Sequence, residues 1–211
     1  MNPDGVAARS SIEETFGATT VERLDLLASL LAEENEHQNL VASRTLPAIW
    51  QRHFADSAQI LRYVPRETLS AIDLGSGAGF PGLVLALLRP AMSISLIESR
   101  RKRAQWLQNC VNVLNLGNCT VEHIRLENYE ARPVGLITAR AFAPLEKLLF
   151  LSARFSTDDT VWVLPKGRSA AQELASIPKR WQKLFHVEQS ITDPDASIIV
   201  GRGRPAGKGA A

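Results

Sequence analysis

The residues with the clearest chemical potential lie in one run, "DLGSGAGFPG", which begins at Asp73 and ends at Gly82. Four glycines (Gly75, Gly77, Gly79 and Gly82) follow the aspartate that closes the apolar run "LSAI", and the uncharged segment "LVLALL" comes next. Glycines at a strand-to-helix junction let the backbone turn tightly and approach a ligand with no Cβ in the way. The helix that follows offers free N–H groups at the carboxyl end of a sheet, where ligands of open α/β folds bind. From Gly77 the spacing satisfies G-x-G-x-x-G, so a dinucleotide loop is formally available. Asp73 favours another ligand: a negative charge at the strand end suits a cationic group better than a pyrophosphate. Glu98 ends the next strand candidate, where an acid commonly takes two ribose hydroxyls in either kind of site.

Other residues could act on a substrate. His53 and Asp56 are three apart, so a helix places them on one face. Arg140 falls at the end of a strand candidate, and Lys166 and Arg168 follow another. Basic clusters occur in "ESRRKR" (Arg100 to Arg103, including Lys102), in "PKR" (Lys179, Arg180) and in the tail "GRGRPAGKGAA". Such clusters suit polyanions, although each is also an ordinary solvated surface. The formal net charge over 211 residues is only +2, so the basic character is local. The two cysteines, Cys110 and Cys119, are too few for a disulfide framework or a zinc site, and no metal is expected. The N-terminus lacks an apolar secretory core, and the longest apolar stretch is far too short to cross a bilayer. A reduced, cytoplasmic, monomeric protein without membrane contact is the expectation.

The elements that must hold these residues are legible from periodicity. Residues 10 to 64 read as helical, with a capping box at Ser10 or Ser11 followed by Glu13 and Glu14. Val21, Leu24, Leu27, Leu30 and Leu31 recur at helical spacing, and Ile49, Phe54 and Leu61 mark a helix beyond Pro47. From about residue 69 the texture alternates. "LSAIDL", "SISLIES", "CTVEHI", "VGLITARA" and "TVWVLPKG" read as strands, separated by helices over "PGLVLALLRP", over "RKRAQWLQNCVNVLNLGN", near 144 to 155 and near 169 to 177. "WQKLFHVEQSI" and "SIIVGRG" are two strand-like runs joined by "TDPDA", a turn without room for a helix. Alternation implies an α/β, doubly wound, mostly parallel sheet, and the terminal hairpin adds an antiparallel strand. The division expected is an N-terminal helical cap over residues 1–65, a ligand-binding domain over 66–203 and a flexible basic tail over 204–211.

This combination resembles the class I methyltransferase sheet, and Asp73 with its glycines resembles the acidic loop of adenosylmethionine-dependent methyltransferases. More narrowly, the chain is similar to the bacterial small-subunit ribosomal RNA methyltransferase G family (RsmG, also called GidB). The likeness rests on "DLGSGAGFPG", on Asn39, Leu40, His53, Asp56 and Ser57 in "NLVASRTLPAIWQRHFADS", and on "LIESRRKRAQWL", "RLENYE", "TARAFAPL" and "LPKGR". It runs from about residue 35 to 168, in family order. Val41 departs from a hydroxyl residue usual after Asn-Leu, and Pro165 from an aromatic or small residue.

The resemblance implies methyl transfer from S-adenosyl-L-methionine to N7 of a guanine in small-subunit (16S) ribosomal RNA, free or assembled in the subunit. It implies that Asp73, Gly75, Gly77 and Phe80 border the methionine part of the cofactor, and that Glu98 takes the ribose. Leu126 and Glu127 would meet the adenine, the first through its backbone and the second through its side chain. Arg140 would face the reaction centre and the cofactor. His53, Lys102, Arg103, Lys166 and Arg168 would serve RNA. Two other readings predict different behaviour: a small-molecule methyltransferase of the same fold has no use for the basic clusters, and a non-enzymatic RNA-binding or assembly protein transfers no methyl group.

Overall fold

The computed structural model describes residues 2–205. Among them the apolar runs become β1 (Ser70–Leu74), β2 (Ser93–Ile97), β3 (Cys119–Glu122), β4 (Leu136–Thr138), β5 (Val161–Lys166), β6 (Phe185–Gln189) and β7 (Ser197–Arg202). They form a seven-stranded sheet in the order β3-β2-β1-β4-β5-β7-β6. Strands β1 to β5 pair in parallel, and β7 enters antiparallel between β5 and β6. The predicted parallel sheet with a terminal hairpin is therefore present. Because β1 lies between β2 and β4, its carboxyl end opens at the point where the strand order reverses, and a crevice forms there.

Side chains alternate along each strand, so the sheet buries two faces. Ala71, Leu136, Val161, Val163 and Ile198 join one core with α4 (Gly82–Leu88), α5 (Arg101–Val113) and the N-terminal helices α1 (Pro3–Phe16) and α2 (Ala18–Glu34). Ile72, Leu74, Ile137, Trp162 and Leu164 join the other with α6 (Leu145–Ser152), α7 (Ala170–Ser176) and α8 (Lys179–Gln182). All of α4 is buried between the sheet and the N-terminal helices, which is why its sequence carries no charge. Val21, Leu24, Leu27 and Leu31 are the buried stripe of α2, as their spacing predicts.

Two local expectations need correction. Helix α1 starts at Pro3, capped by Asn2, whose side chain accepts a hydrogen bond from the Gly5 N–H at 3.0 Å. Ser10 and Ser11 are therefore interior residues of α1, because an Asn cap followed by proline is the stronger start. Trp181 and Gln182 belong to α8 and not to the following strand. Gly201 and Arg202 are in β7, as the run "SIIVGRG" predicts, and the Gly203 carbonyl accepts a 2.8 Å hydrogen bond from Trp162 Nε1. The end of the tail, 206–211, lies outside the described residues.

Beyond Pro47 the chain winds with a changing pitch. Ser43–Ala48 forms tight 3-10 turns, Trp50–Ala55 a wide π turn, α3 (Asp56–Ala58) one α turn, and Gln59–Tyr63 returns to 3-10 winding. Wide turns of this kind are frequent at functional sites. Gln59 locks the segment to the β6–β7 hairpin. Its amide donates to Asp56 Oδ1 at 2.8 Å and Ser190 Oγ at 3.1 Å, and its carbonyl oxygen accepts from Ile191 N at 3.0 Å.

A side chain at Gly201 would collide with this hairpin, since a Cβ there would lie 2.2 Å from Phe185 Cδ1 and 2.8 Å from the Leu184 carbonyl. Gly201→Ala is expected to cost about 1–3 kcal/mol through overpacking, measured as a lowered midpoint in urea denaturation.

Candidate active site

The loop after β1 is built around Asp73, whose side chain is fully buried at the strand end. Its Oδ2 accepts a hydrogen bond from the Gly82 N–H at 3.2 Å, while Oδ1 is buried with no partner. Burial pushes its pKa up to about 6, against the opposing pull of Ser76, the Gly82 N–H and Arg140. Gly82 must be glycine for packing, because a Cβ would lie 2.2 Å from Leu96 Cδ2 and 2.7 Å from Asp73 Oδ2. Gly75 and Gly77 are required by conformation: their φ angles are +67° and +56°. The loop is pinned by Trp106, whose indole N–H donates to the Ala78 carbonyl at 3.1 Å.

Beside the loop, Gly75, Ile97, Ser99, Ile124, Leu126, Glu127 and Phe142 line a cleft of about 280 Å³. Leu126 is buried, with its carbonyl held by Arg154, and Glu127 is exposed at the rim. Glu98 is buried below the loop. One carboxylate oxygen accepts from the Gly77 N–H at 3.0 Å and the other from the Arg100 N–H at 2.7 Å.

A second cleft of about 740 Å³ opens alongside, between the ends of β4 and β5, the wide turn and the hairpin. Arg140, His53, Asp56 and Lys166 all line it. Phe80 is 3% exposed and lies behind this lining, with His53 stacked on the ring at 4.9 Å and the Arg140 guanidinium 5.2 Å from the ring centre. Arg140 Nη1 lies 3.2 Å from His53 Nδ1 and 3.8 Å from Asp56 Oδ2. A guanidinium only donates, so Nδ1 is the acceptor and His53 is neutral with its proton on Nε2. Nε2 then donates to Thr45 Oγ1 at 2.9 Å, and Thr45 donates to the Ala42 carbonyl at 2.7 Å. Burial, with Arg140 and Arg52 nearby, lowers the His53 pKa to about 3. Asp56 is shifted upward by burial, although Thr192, Arg140 and Gln59 oppose the shift.

The structure thus brings Arg140, His53 and Lys166 to one cleft and Gly75, Leu126 and Glu127 to its neighbour, while Phe80 is buried under His53 and Arg140. His53 sits behind Arg140 with both ring nitrogens engaged, and Lys166 Nζ pairs with Glu173 Oε2 at 2.9 Å. Arg103 borders the glycine loop: its Nη1 would lie 3.6 Å from a Cβ on Gly77. Lys102 is exposed on the first turn of α5, and Arg168 is exposed and paired with Asp195; both stand outside the two clefts. Sequence reasoning missed Phe142, which lines both clefts and whose Cδ2 would be 2.6 Å from a Cβ on Gly75. It follows Ala141, a non-glycine residue at φ +55°, and no residue type announces that turn.

A doubly wound sheet with an antiparallel strand between β5 and β6, an acid-led glycine loop after β1 and an acid ending β2 define a class I methyltransferase. A SAM dependent methyltransferase from Aquifex aeolicus shares the fold, with a TM-score of 0.54 at 14% identity over 74% of this chain and 92% of that one. The chain belongs to the rRNA small subunit methyltransferase G (GidB) family, whose model matches residues 20–197. It is 60% identical to the ribosomal RNA small subunit methyltransferase G of Erythrobacter litoralis (strain HTCC2594), over 93% of this chain and 95% of the relative. The protein of that name from Novosphingobium aromaticivorans is 53% identical, over 87% of this chain and 80% of the relative. The protein is a methyltransferase.

The raised pKa of Asp73 carries a stability sign. An unfolded aspartate titrates near 3.8 and the folded one near 6, so the unfolded chain loses its proton first and stability falls as pH rises across that window. Asp73→Asn removes this cost. In thermal denaturation of the ligand-free protein, the variant should melt a few degrees higher than the parent at pH 8 and show no gain near pH 4.

Proposed function

We propose that the protein transfers the methyl group of adenosylmethionine to N7 of a guanine in small-subunit ribosomal RNA. The names of the family and its relatives support the RNA substrate. One observation carries the choice of atom: the titratable groups lining the larger cleft are all committed elsewhere. His53 is neutral and bonded at both nitrogens. Asp56 accepts from Gln59 and Thr192 beside Arg140. Glu173 holds Lys166, Ser169 and the Leu145 N–H, and Asp193 holds Arg52. Guanine N7 has an in-plane lone pair and no proton, so its methylation requires no base, and a cleft so arranged suits it.

The residues present fit adenosylmethionine. The unpartnered Asp73 Oδ1 is a buried acceptor for its ammonium group, and Gly75 and Gly77 allow backbone to lie against the methionine part. Each Glu98 oxygen has a further lone pair beyond its backbone bond, so the ribose hydroxyls can donate there. The Leu126 backbone and the Glu127 side chain would meet the adenine in the smaller cleft. When bound, adenosylmethionine supplies an already activated methyl group. The chain's task is then alignment, which can lower a barrier by roughly 7–11 kcal/mol.

Arg140 must leave the N7 lone pair free, which excludes the bidentate grip on O6 and N7 that arginine uses to read guanine. One of its donors is spent on His53, and the others can hold guanine O6 or a phosphate. Lys166, 10% exposed in the same cleft, adds a second cation for phosphate. His53 is a positioning residue: it fixes the Arg140 guanidinium over Phe80.

Four measurements test this reading. Small-subunit RNA from cells lacking the protein, incubated with the enzyme and adenosylmethionine, should gain 7-methylguanosine by nucleoside mass mapping; a methyl group on any other atom would overturn the assignment. Adenosylmethionine affinity should fall as pH drops below about 6, since the bound ammonium requires ionised Asp73. Calorimetry near pH 6 should show proton release on binding, absent in Asp73→Asn. Single-turnover methyl transfer at saturating RNA should be flat between about pH 6 and 9, and His53→Asn should raise the KM for RNA more than it lowers that rate.

A further inference from the structure

The "PKR" cluster and α6 meet on a surface that the larger cleft does not use. Phe150 projects there at 69% exposure, the most exposed phenylalanine among the described residues. Beside it, Glu146, Lys147, Pro178, Arg180 and Trp181 complete a depression of about 400 Å³. The Arg180 guanidinium lies 5.6 Å over the Trp181 ring, a cation–π pair that holds the cation in place at the rim. Lys179 and Lys183, at the two ends of α8, are also exposed. Two cations and one carboxylate therefore share the depression with a bare aromatic face.

Each part has a physical cost or use that a solvated surface does not explain. Leaving a phenylalanine ring in water forgoes the favourable burial of a large apolar side chain. Lysines and arginines beside an exposed aromatic are the arrangement with which proteins hold single-stranded nucleic acid: the ring stacks on a base and the cations take phosphates. The depression is also continuous with the site, because Lys147 lines both it and the cleft of Gly75, Leu126 and Glu127.

We infer that this surface is a second RNA-binding site, on which an unpaired nucleotide near the target guanine stacks on Phe150 while Arg180 and Lys147 hold its phosphates. The inference rests on the RNA methyltransferase reading above and adds a place where substrate is gripped away from the reacting atoms. An acidic protein surface is the alternative partner, and stacking distinguishes the two, because a base requires an aromatic ring and a protein contact requires only apolar bulk.

The test compares wild type, Phe150→Ala, Phe150→Tyr, Phe150→Leu and Arg180→Gln as full-length proteins. The substrate is small-subunit RNA, naked or in subunits, from cells lacking the enzyme. Phe150→Ala should weaken RNA binding at least tenfold, with an unchanged dependence on salt. Phe150→Tyr should restore affinity and Phe150→Leu should not. Arg180→Gln should flatten the salt dependence by about 0.7–0.9 per decade, one phosphate contact. Adenosylmethionine affinity should stay constant throughout, since neither residue lines that cleft. If wild type methylates this RNA and Phe150→Ala binds it equally well, or if Phe150→Leu rescues as well as Phe150→Tyr, the inference fails while the function stands. If wild type transfers no methyl group to either form, the functional reading itself fails and takes this inference with it.

Discussion

The carboxylate of Asp73 is the constraint around which the rest is arranged. It is fully buried, one oxygen is satisfied by the Gly82 N–H, and the other has no protein donor. A side chain at Gly82 would strike it, so the start of α4 approaches β1 as closely as backbone allows. That approach makes α4 short, uncharged and buried on every side, and such a helix needs covering from outside. Helices α1 and α2 supply the cover. A ligand site thus dictates packing two layers away.

The two clefts separate two jobs that a methyl-transfer enzyme must do together. One is walled by the bare backbone of Gly75 and by apolar side chains, with Glu127 at its rim, and lies beside the buried carboxylates of Asp73 and Glu98. The other is set by Arg140 and Lys166 and suits an anionic strand. Phe142 is common to both walls. Between them, the donors and acceptors form a one-way line from Arg140 through His53 and Thr45 to the Ala42 carbonyl. His53 and Thr45 are each engaged on both sides, and a hydrogen-bonded line of this kind rigidifies what it touches. Arg140 is therefore held as a fixed cation and does not search for its partner.

Much of this was legible beforehand. Strand alternation, the uncharged helix and the two strand-end acids follow from residue periodicity and charge, and the sheet confirms the strand assignments from β1 to β5. The stripe of Val21, Leu24, Leu27 and Leu31 is a simple helical repeat. Other features could not be read. The change of pitch between Ser43 and Tyr63 is imposed by contacts to a hairpin more than a hundred residues later, as the bonds from Gln59 to Ser190 and Ile191 show. The positive φ at Ala141 has no compositional signal, because alanine is not a residue that seeks it. That Gly201 must be glycine for Phe185 to pack has no signal in the sequence either.

The bonds from Gln59 and Asp56 to Ser190, Ile191 and Thr192 have a consequence for how the protein is made. His53 and Asp56, which set Arg140, are made early, yet their lock is supplied by a turn more than a hundred residues further along the chain. Strand β7, also late, completes the sheet from inside, between β5 and β6. A nascent chain holding the glycine loop and both strand-end acids would therefore still lack a wall of the larger cleft and the clamp on its wide turn. Such non-local pairing is slow to form and exposes apolar surface while it waits. The glycine loop can be shaped early in translation, whereas the larger cleft comes into being only once β6, β7 and the turn between them have been made.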